Sequence, residues 1–475
     1  MAEQEKRGFI EKVDTTNEAD EKSKIHYISH HAVRKDSTTT PIRVVFDCSC
    51  KATPESSSLN DCLMTTPLNL NDLVGILLRF RLHQFAVTTD IEKAFLNVGL
   101  ETQDRDVTRF FWFDTPTDPS TPLSIYRFKS VLFGATSSPF ILNSVLQKNL
   151  RENRCEYTDT LKNDLYVDNI LSSFPTESAL LKYFDTSRDL FIRAGFNLHS
   201  WASNSQLLRD RANSHSVLDK DELIKVLGLR WNTCNDTLTF AKPEYTDIED
   251  TRMTKREILR QSSKIYDPLG LIGPVSVRSK MLMQTLWEKG LNWDEPLTSK
   301  ITSEWKCVLK YINECLHLEI NRPYFKEKSD NVELFTDASL KAYGACTYLV
   351  SGKETVLIMS KNRVTPLKQL TIPKLELSAA LIGARLVKHL KSHLDVTSVT
   401  LWSDSQITLS WLTTEKQLPV FVSNRVKEIN EITQEYTWKY SPKDSNPADM
   451  LSRGVTATKF LELDLCMKGP EWLTD

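Results

Sequence analysis

The 475-residue sequence contains no run of about 18 apolar residues, so no transmembrane helix is expected. Its first residues, Met1-Ala-Glu-Gln-Glu-Lys-Arg7, lack the apolar core of a signal peptide. Nine scattered cysteines, odd in number and without a C-x-x-C pair, exclude a disulfide framework and a cysteine-based zinc site. Reduced thiols in an intracellular protein are expected instead. Cys48 and Cys50 are read as packing residues. No Asp-Thr-Gly or Asp-Ser-Gly triplet occurs, which leaves no physical case for an aspartic protease. A large excess of positive charge is also missing, for the net charge is −2. The charge is uneven, however: from Arg252 to Lys289 eight Lys/Arg face three Asp/Glu. A local basic surface of that kind neutralises several phosphates, although a solvated helix face accounts for any one of these residues.

What is present is carboxylate at the ends of strands. Asp164-Leu-Tyr-Val-Asp-Asn-Ile-Leu171 reads as a β-hairpin with Asp168-Asn169 at the turn, since Asn tolerates the positive φ of tight turns. Upstream, Phe85-Ala-Val-Thr-Thr-Asp90 is a strand ending on Asp90. Side by side, Asp90 and Asp168 can hold two Mg²⁺ ions ~3.5–4 Å apart, the arrangement of phosphoryl-transfer enzymes. A helical run is predicted over 68–80, with Leu70, Leu73, Val74, Leu77 and Leu78 on one face. Gly134 permits close backbone approach to a ligand, and Ser137 or Ser138 is placed to cap the helix that begins near Pro139. Helices are predicted over 178–194, 255–263, 277–289 and 302–316, with a turn cluster at Tyr266-Asp-Pro-Leu-Gly270 and a linker around Arg322–Asp330.

From Val332 the pattern turns to strands: one ending on Asp337, two more over 342–350 and 355–360, a long helix with Glu376 in its first turn, a strand ending on Asp404, and a last strand over 436–440 before Asp449. Four carboxylates, Asp337, Glu376, Asp404 and Asp449, thus lie on strand ends and helix starts. They can converge on two metal ions, or Glu376 and Asp449 can simply satisfy helix N-termini. His389 and His393 sit four apart on a helix, but no neighbouring acid completes a metal motif, and they are read as surface residues.

Asp90-Ile-Glu-Lys-Ala-Phe95, Leu132-Phe-Gly-Ala-Thr-Ser-Ser-Pro139 and Tyr166-Val-Asp-Asn169 resemble, in order and spacing, the first three palm motifs of reverse transcriptases. With His30-His-Ala-Val33, Arg43-Val-Val-Phe-Asp47, Ser58-Leu-Asn-Asp61 and Tyr266-Asp-Pro-Leu-Gly270, the chain resembles the BEL/Pao class of long-terminal-repeat retrotransposon polyproteins over nearly its whole length. The resemblance implies an α+β and α/β multidomain protein, a right-hand polymerase followed by an RNase H-like domain. Its parts would be fingers and palm over 1–246, a helical thumb and connection over 247–330, the RNase H-like domain over 331–455, and a tail over 456–475 leading toward an integrase that the sequence does not include. Catalysis would rest on Asp90 and Asp168 in one site and on Asp337, Glu376, Asp404 and Asp449 in the other. Each site would take two Mg²⁺, with Mn²⁺ as the substitute.

Lys35 and Arg43 would hold the triphosphate of the incoming nucleotide, Gly134 would line it, and Phe95 would pack under the sugar and favour deoxynucleotides. The implied partners are an RNA template, a DNA primer, RNA–DNA hybrid and deoxynucleotides, in the service of transposition by DNA integration. Two departures stand out: Asn169 replaces the usual second Asp of the hairpin, and His199-Ser200 replace the basic residues before Trp201. They keep open the alternative of a decayed or repurposed nucleic-acid-binding fragment without polymerase activity.

Overall fold

The computed structural model describes residues 1–14, 24–34, 42–65, 67, 70–115, 118, 120–245, 252–325 and 331–474. Lys35, the start of the helical run at Leu68 and the segment 326–330 lie outside the described residues. Among the described residues, no helix is long and apolar enough to cross a membrane. All nine cysteines are free.

The N-terminal part opens with a hairpin of Ser29–Arg34 and Ile42–Asp47 and a three-stranded sheet in which Leu123–Phe128 lies between Ile10–Lys12 and Arg109–Phe113. Both close on one small core of Phe46, Phe110, Phe128 and Leu132. Behind them stands a four-stranded antiparallel sheet. Its order is Leu165–Tyr166, Asn169–Phe174, Phe85–Ile91, Leu198–Ser203. Helices Ser138–Glu152 and Glu177–Arg193 bury Leu142, Leu146, Leu150, Tyr183, Phe184 and Phe191 in one core with Trp201 of this sheet. Each such side chain contributes about 1.5–3 kcal/mol on leaving water, so the sheet that carries the acids is a rigid platform.

Three local expectations change in the fold. The helix expected from residue 68 begins at Leu73, because Asp72 accepts the Val74 N–H at 2.9 Å and caps it there. The hairpin turn is Val167-Asp168, flanked by the Tyr166–Asn169 pair. The positive φ falls on Val167 (58°), while Asn169 lies in the following strand. A β-branched residue at that φ is strained, and such strain persists where the surroundings enforce it. Neither Ser137 nor Ser138 caps the helix at Pro139: Ser138 Oγ instead donates to the Leu132 carbonyl at 2.7 Å, tying the loop to the helix start.

Residues 223–240 form a meander of Leu223–Val226, Leu229–Asn232 and Thr237–Phe240, joined by Ile320–Asn321. The helices Lys255–Ser262, Gly273–Glu288 and Ser299–Cys315 follow. Their apolar faces, the meander and the C-terminal sheet share a single core that includes Trp231, Trp305, Phe335 and Tyr348. The Gly273–Glu288 helix packs directly on the Glu354–Val364 strand. The Tyr266–Gly270 turn explains how. Asp267, pushed up to about 6 by burial, accepts the backbone N–H groups of Leu271 and Ile272 at 2.9 Å each. Gly270, at φ 68°, leaves its backbone against Ser360 where a side chain would collide.

Arg322, expected in a linker, is instead an anchor with no exposed surface. It donates to both Asp236 oxygens at 2.6 and 2.8 Å and to the carbonyls of Phe80, His83 and Gln84 at 2.7–2.8 Å. A short-range reading sees only Pro323 and mixed charges, whereas these partners lie far away in the chain. We expect Arg322→Ala to destabilise the fold by about 3–5 kcal/mol, because Asp236 and three carbonyls lose their partner together. Urea unfolding checks this; a loss below about 1 kcal/mol contradicts the anchor.

The C-terminal sheet has the order Glu354–Val364, Ala342–Ser351, Asn331–Ala338, Ser398–Ser403, Thr437–Tyr440. The first three strands are antiparallel, and the last two join in parallel. The Ile372–Lys391 helix crosses over the Asn331–Ala338 and Ala342–Ser351 strands, and a second helix, Val420–Thr433, packs against it. Strand residues such as Val332, Leu334 and Phe335 are buried, as strands covered on both faces require.

Candidate active sites

In the four-stranded sheet, Asp90 pairs with Asn169 on one side and His199 on the other. The Ile91 N–H donates to the Asp168 carbonyl at 2.8 Å. The turn is thereby folded onto the end of the Asp90 strand, and the two carboxylates stand together. Burial raises the affinity of both for protons. For Asp90 the Asp168 charge adds to this while Ser200 and His199 oppose it. For Asp168 the Asn169 amide and the Arg43 charge oppose it. Asp90 Oδ1 is buried with no hydrogen-bond partner.

Asn169, the departure from the usual second acid, donates its amide N–H to Asp168 Oδ1 at 2.8 Å. It orients the acid that remains and adds no negative charge of its own. No sequence signal shows this, since it depends on the turn geometry. Phe95 is buried in the floor with its ring edge-on to Phe133, centroids 4.9 Å apart, and the Arg43 guanidinium lies over the other end of this pair, 5.3 Å from the Phe133 ring. Arg43, Phe133 and Phe95 thus form a row of packed side chains leading in from the hairpin, and the Arg43 charge reaches Asp168. Gly134 has φ 95°, and its close approach is to the Phe46 carbonyl of this chain, where a Cβ would sit at 2.9 Å. Asn60 holds the same loop, donating to the Gly134 carbonyl at 3.1 Å and accepting the Thr136 N–H at 2.8 Å.

In the C-terminal sheet, oxygens of Asp337, Glu376 and Asp404 lie within 4.8 Å of one another. Asp337 and Glu376 are almost fully buried. Burial, with the Asp404 and Asp449 charges, pushes Asp337 up to about 7, although Ser452 donates to it. Burial with the charges of Asp337 and Asp404 pushes Glu376 up to about 9. Asp404 is raised as well, chiefly by burial. Glu376 is the fifth residue of its helix, beyond the first turn, and its Oε2 has no partner. A capping role is therefore excluded for it. Asp449 opens a short helix and accepts from Arg453. It stands outside the tight three-acid group, though its charge reaches Asp337 and Asp404. Carboxylates pressed together at this cost, one oxygen left orphaned, fit hard divalent cations.

Residues 45–228 match the family described as reverse transcriptase (RNA-dependent DNA polymerase), and residues 254–405 match the Pao retrotransposon-like RNaseH-like domain. No curated protein matches the chain. Among solved structures, the foamy viral protease-reverse transcriptase dRH in complex with double-stranded DNA superposes with a TM-score of 0.61 at 15% identity, over 93% of this chain and 68% of that one. The foamy viral protease-reverse transcriptase in complex with double-stranded DNA gives 0.58 at 15% identity, over 93% and 81%. The same protein in complex with RNA/DNA hybrid gives 0.58 at 14% identity, over 93% and 52%. At these identities the likeness speaks for the fold alone. The two matched families use divalent metal ions. The chain carries a reverse transcriptase (RNA-directed DNA polymerase) domain over residues 45–228, followed by a Pao retrotransposon-like RNase H-like domain over residues 254–405.

Proposed function

We propose that the chain copies an RNA or DNA template from a DNA primer at the Asp90–Asp168 site and cleaves the RNA of RNA–DNA hybrids at the Asp337–Glu376–Asp404 site, with Mg²⁺ in both. The observation that carries this reading is the presence of two separate carboxylate groups, each gathered at the end of its own sheet. Mg²⁺ bound by these acids would stabilise the charge on the attacking and leaving oxygens. At the first site, Asp90 and Asp168 hold the ions, and Asn169 keeps Asp168 oriented. Arg43 faces the site as a rigid fork suited to a triphosphate, and Lys35, which in the sequence follows the first strand of that hairpin, would supply a second cation. Phe95, backed by Phe133, closes the floor under the sugar and leaves no room for a 2′-hydroxyl. Gly134 shapes the loop above it. At the second site, Asp337, Glu376 and Asp404 hold the ions, and Asp449 lies at the rim with Arg453. On this reading residues 1–246 are fingers and palm, 247–330 thumb and connection, 331–455 the RNase H-like domain, and 456–475 a tail.

The test is one incubation of the purified chain with an RNA–DNA primer–template, deoxynucleotides and Mg²⁺, following extension and RNA cleavage together. Both activities are expected. Salt-sensitive binding without either would instead support the repurposed nucleic-acid-binding reading. Repeating it with Mn²⁺ identifies the preferred ion.

A further inference from the structure

The helix that carries Glu376 also carries His389 in its last turn, but it ends at Lys391, so His393, expected on the same helix, lies in the turn just beyond it, with the two rings 4.8 Å apart. Read alone, they lacked an acid to complete a metal motif; the fold brings one from more than 300 residues away. Asp72 uses Oδ1 to cap the Leu73–Phe80 helix at the Val74 N–H and turns Oδ2 to both imidazoles. Oδ2 lies 3.4 Å from His389 Nε2 and 3.4 Å from His393 Nε2.

We propose that Asp72, His389 and His393 form a binding site for a zinc-like transition-metal dication that ties the polymerase part to the RNase H-like part. The distances carry the argument. A separation of 3.4 Å is long for an N–H···O bond, which favours about 2.9–3.0 Å. It is close to the roughly 3.3 Å between two ligand atoms around a tetrahedral ion with bonds of about 2.0 Å. All three ligand atoms lie within 4.8 Å of one another. Two imidazoles and one carboxylate suit zinc, whereas magnesium takes oxygen ligands.

The seat is built from both sides. A Cβ on Gly75 would overlap the His393 ring, so the ring packs directly on the backbone of the Leu73–Phe80 helix. Asp72 and His389 also line a cavity of about 670 Å³ between the two parts, from which water can complete the coordination. One contact opposes the ion. Arg79 Nη1 lies 3.0 Å from His393 Nδ1. A metal on Nε2 places the proton on Nδ1, so binding breaks that hydrogen bond. Arg79 keeps Asp164 at 2.9 Å and the Asn163 carbonyl at 2.6 Å. The site is therefore weaker than a closed structural zinc site, and occupancy responds to the free metal concentration.

The experiment is calorimetric titration of the EDTA-treated full chain with ZnCl₂, with excess Mg²⁺ present to fill the oxygen-only sites. One zinc per chain is expected, together with a zinc-dependent rise in unfolding temperature. Affinity is expected to fall roughly tenfold or more in His389→Gln and in Asp72→Asn, and to hold in the control His215→Ala. His389→Gln is the primary variant, because His389 is the more exposed of the pair and its loss leaves the His393 seat intact. Co²⁺ in place of Zn²⁺ is expected to give visible absorption of a tetrahedral site in the parent chain and to lose it in both variants. No zinc binding, or binding unchanged in His389→Gln and Asp72→Asn, overturns the proposal. Primer extension and RNA cleavage in Mg²⁺ alone report on the two active sites separately, so failure here leaves that reading standing.

Discussion

Asp168→Asn is expected to abolish primer extension, by roughly a thousandfold or more, and to leave RNA cleavage at the parent rate. A thousandfold is about 4 kcal/mol of transition-state stabilisation. That is the loss expected on the proposed reading, in which Asp168 is one of two carboxylates that would hold the metal and, among the described residues, no third acid stands at the turn. The neighbour that usually shares the work is Asn169, whose amide donates to Asp168 and brings no negative charge. Asp168 and Asp90 therefore carry the whole negative charge at the turn. The substitution keeps the shape of the side chain, so the strained Val167 turn and the Tyr166–Asn169 pair have no reason to rearrange. Steady-state extension on a DNA-primed RNA template, read beside cleavage of the same hybrid, measures both numbers. Extension that survives within tenfold would remove Asp168 from the metal-holding pair.

Glu376→Gln is expected to have the mirror effect: RNA cleavage lost by roughly a thousandfold, extension intact, and the metal-free fold no less stable. The last part follows from the local electrostatics. Burial and the charges of Asp337 and Asp404 push Glu376 up to about 9, so without metal it already holds its proton at neutral pH. Gln replaces a neutral acid with a neutral amide of the same size, and little is lost. With Mg²⁺ the two chains part company, since only the acid can shed its proton and take up the ion's charge. Scanning calorimetry with and without Mg²⁺ separates the outcomes. A variant that cleaves normally, or that unfolds well below the parent in EDTA, would show that Glu376 serves packing alone.

Several parts of this molecule were legible in the chain because their causes are local. A strand ending on Asp90, a turn at Asp168, a strand ending on Asp337 and another on Asp404 follow from alternation and turn residues within a few positions. Their order along the chain was enough to resemble a polymerase followed by an RNase H-like domain. The helices at 255–262, 273–288 and 299–315 came close to expectation for the same reason.

What only the tertiary structure decided has the opposite cause: partners far apart in sequence, whose meeting depends on how sheets and helices stack. Arg322 resembles a linker residue until Asp236 and the carbonyls at 80, 83 and 84 close around it. Glu376 could be taken for a helix cap until the helix start at Ile372 leaves it facing Asp337 and Asp404. Asn169 resembles a lost ligand until the turn aims its amide at Asp168. His389 and His393 are two surface histidines until the cap of a helix from the polymerase part delivers Asp72 between them. Sequence alone determined which residues could do chemistry and in what order. Packing of one part of the chain against another decided which of them share a site, because a carboxylate's protonation and its ligands are set by neighbours in space.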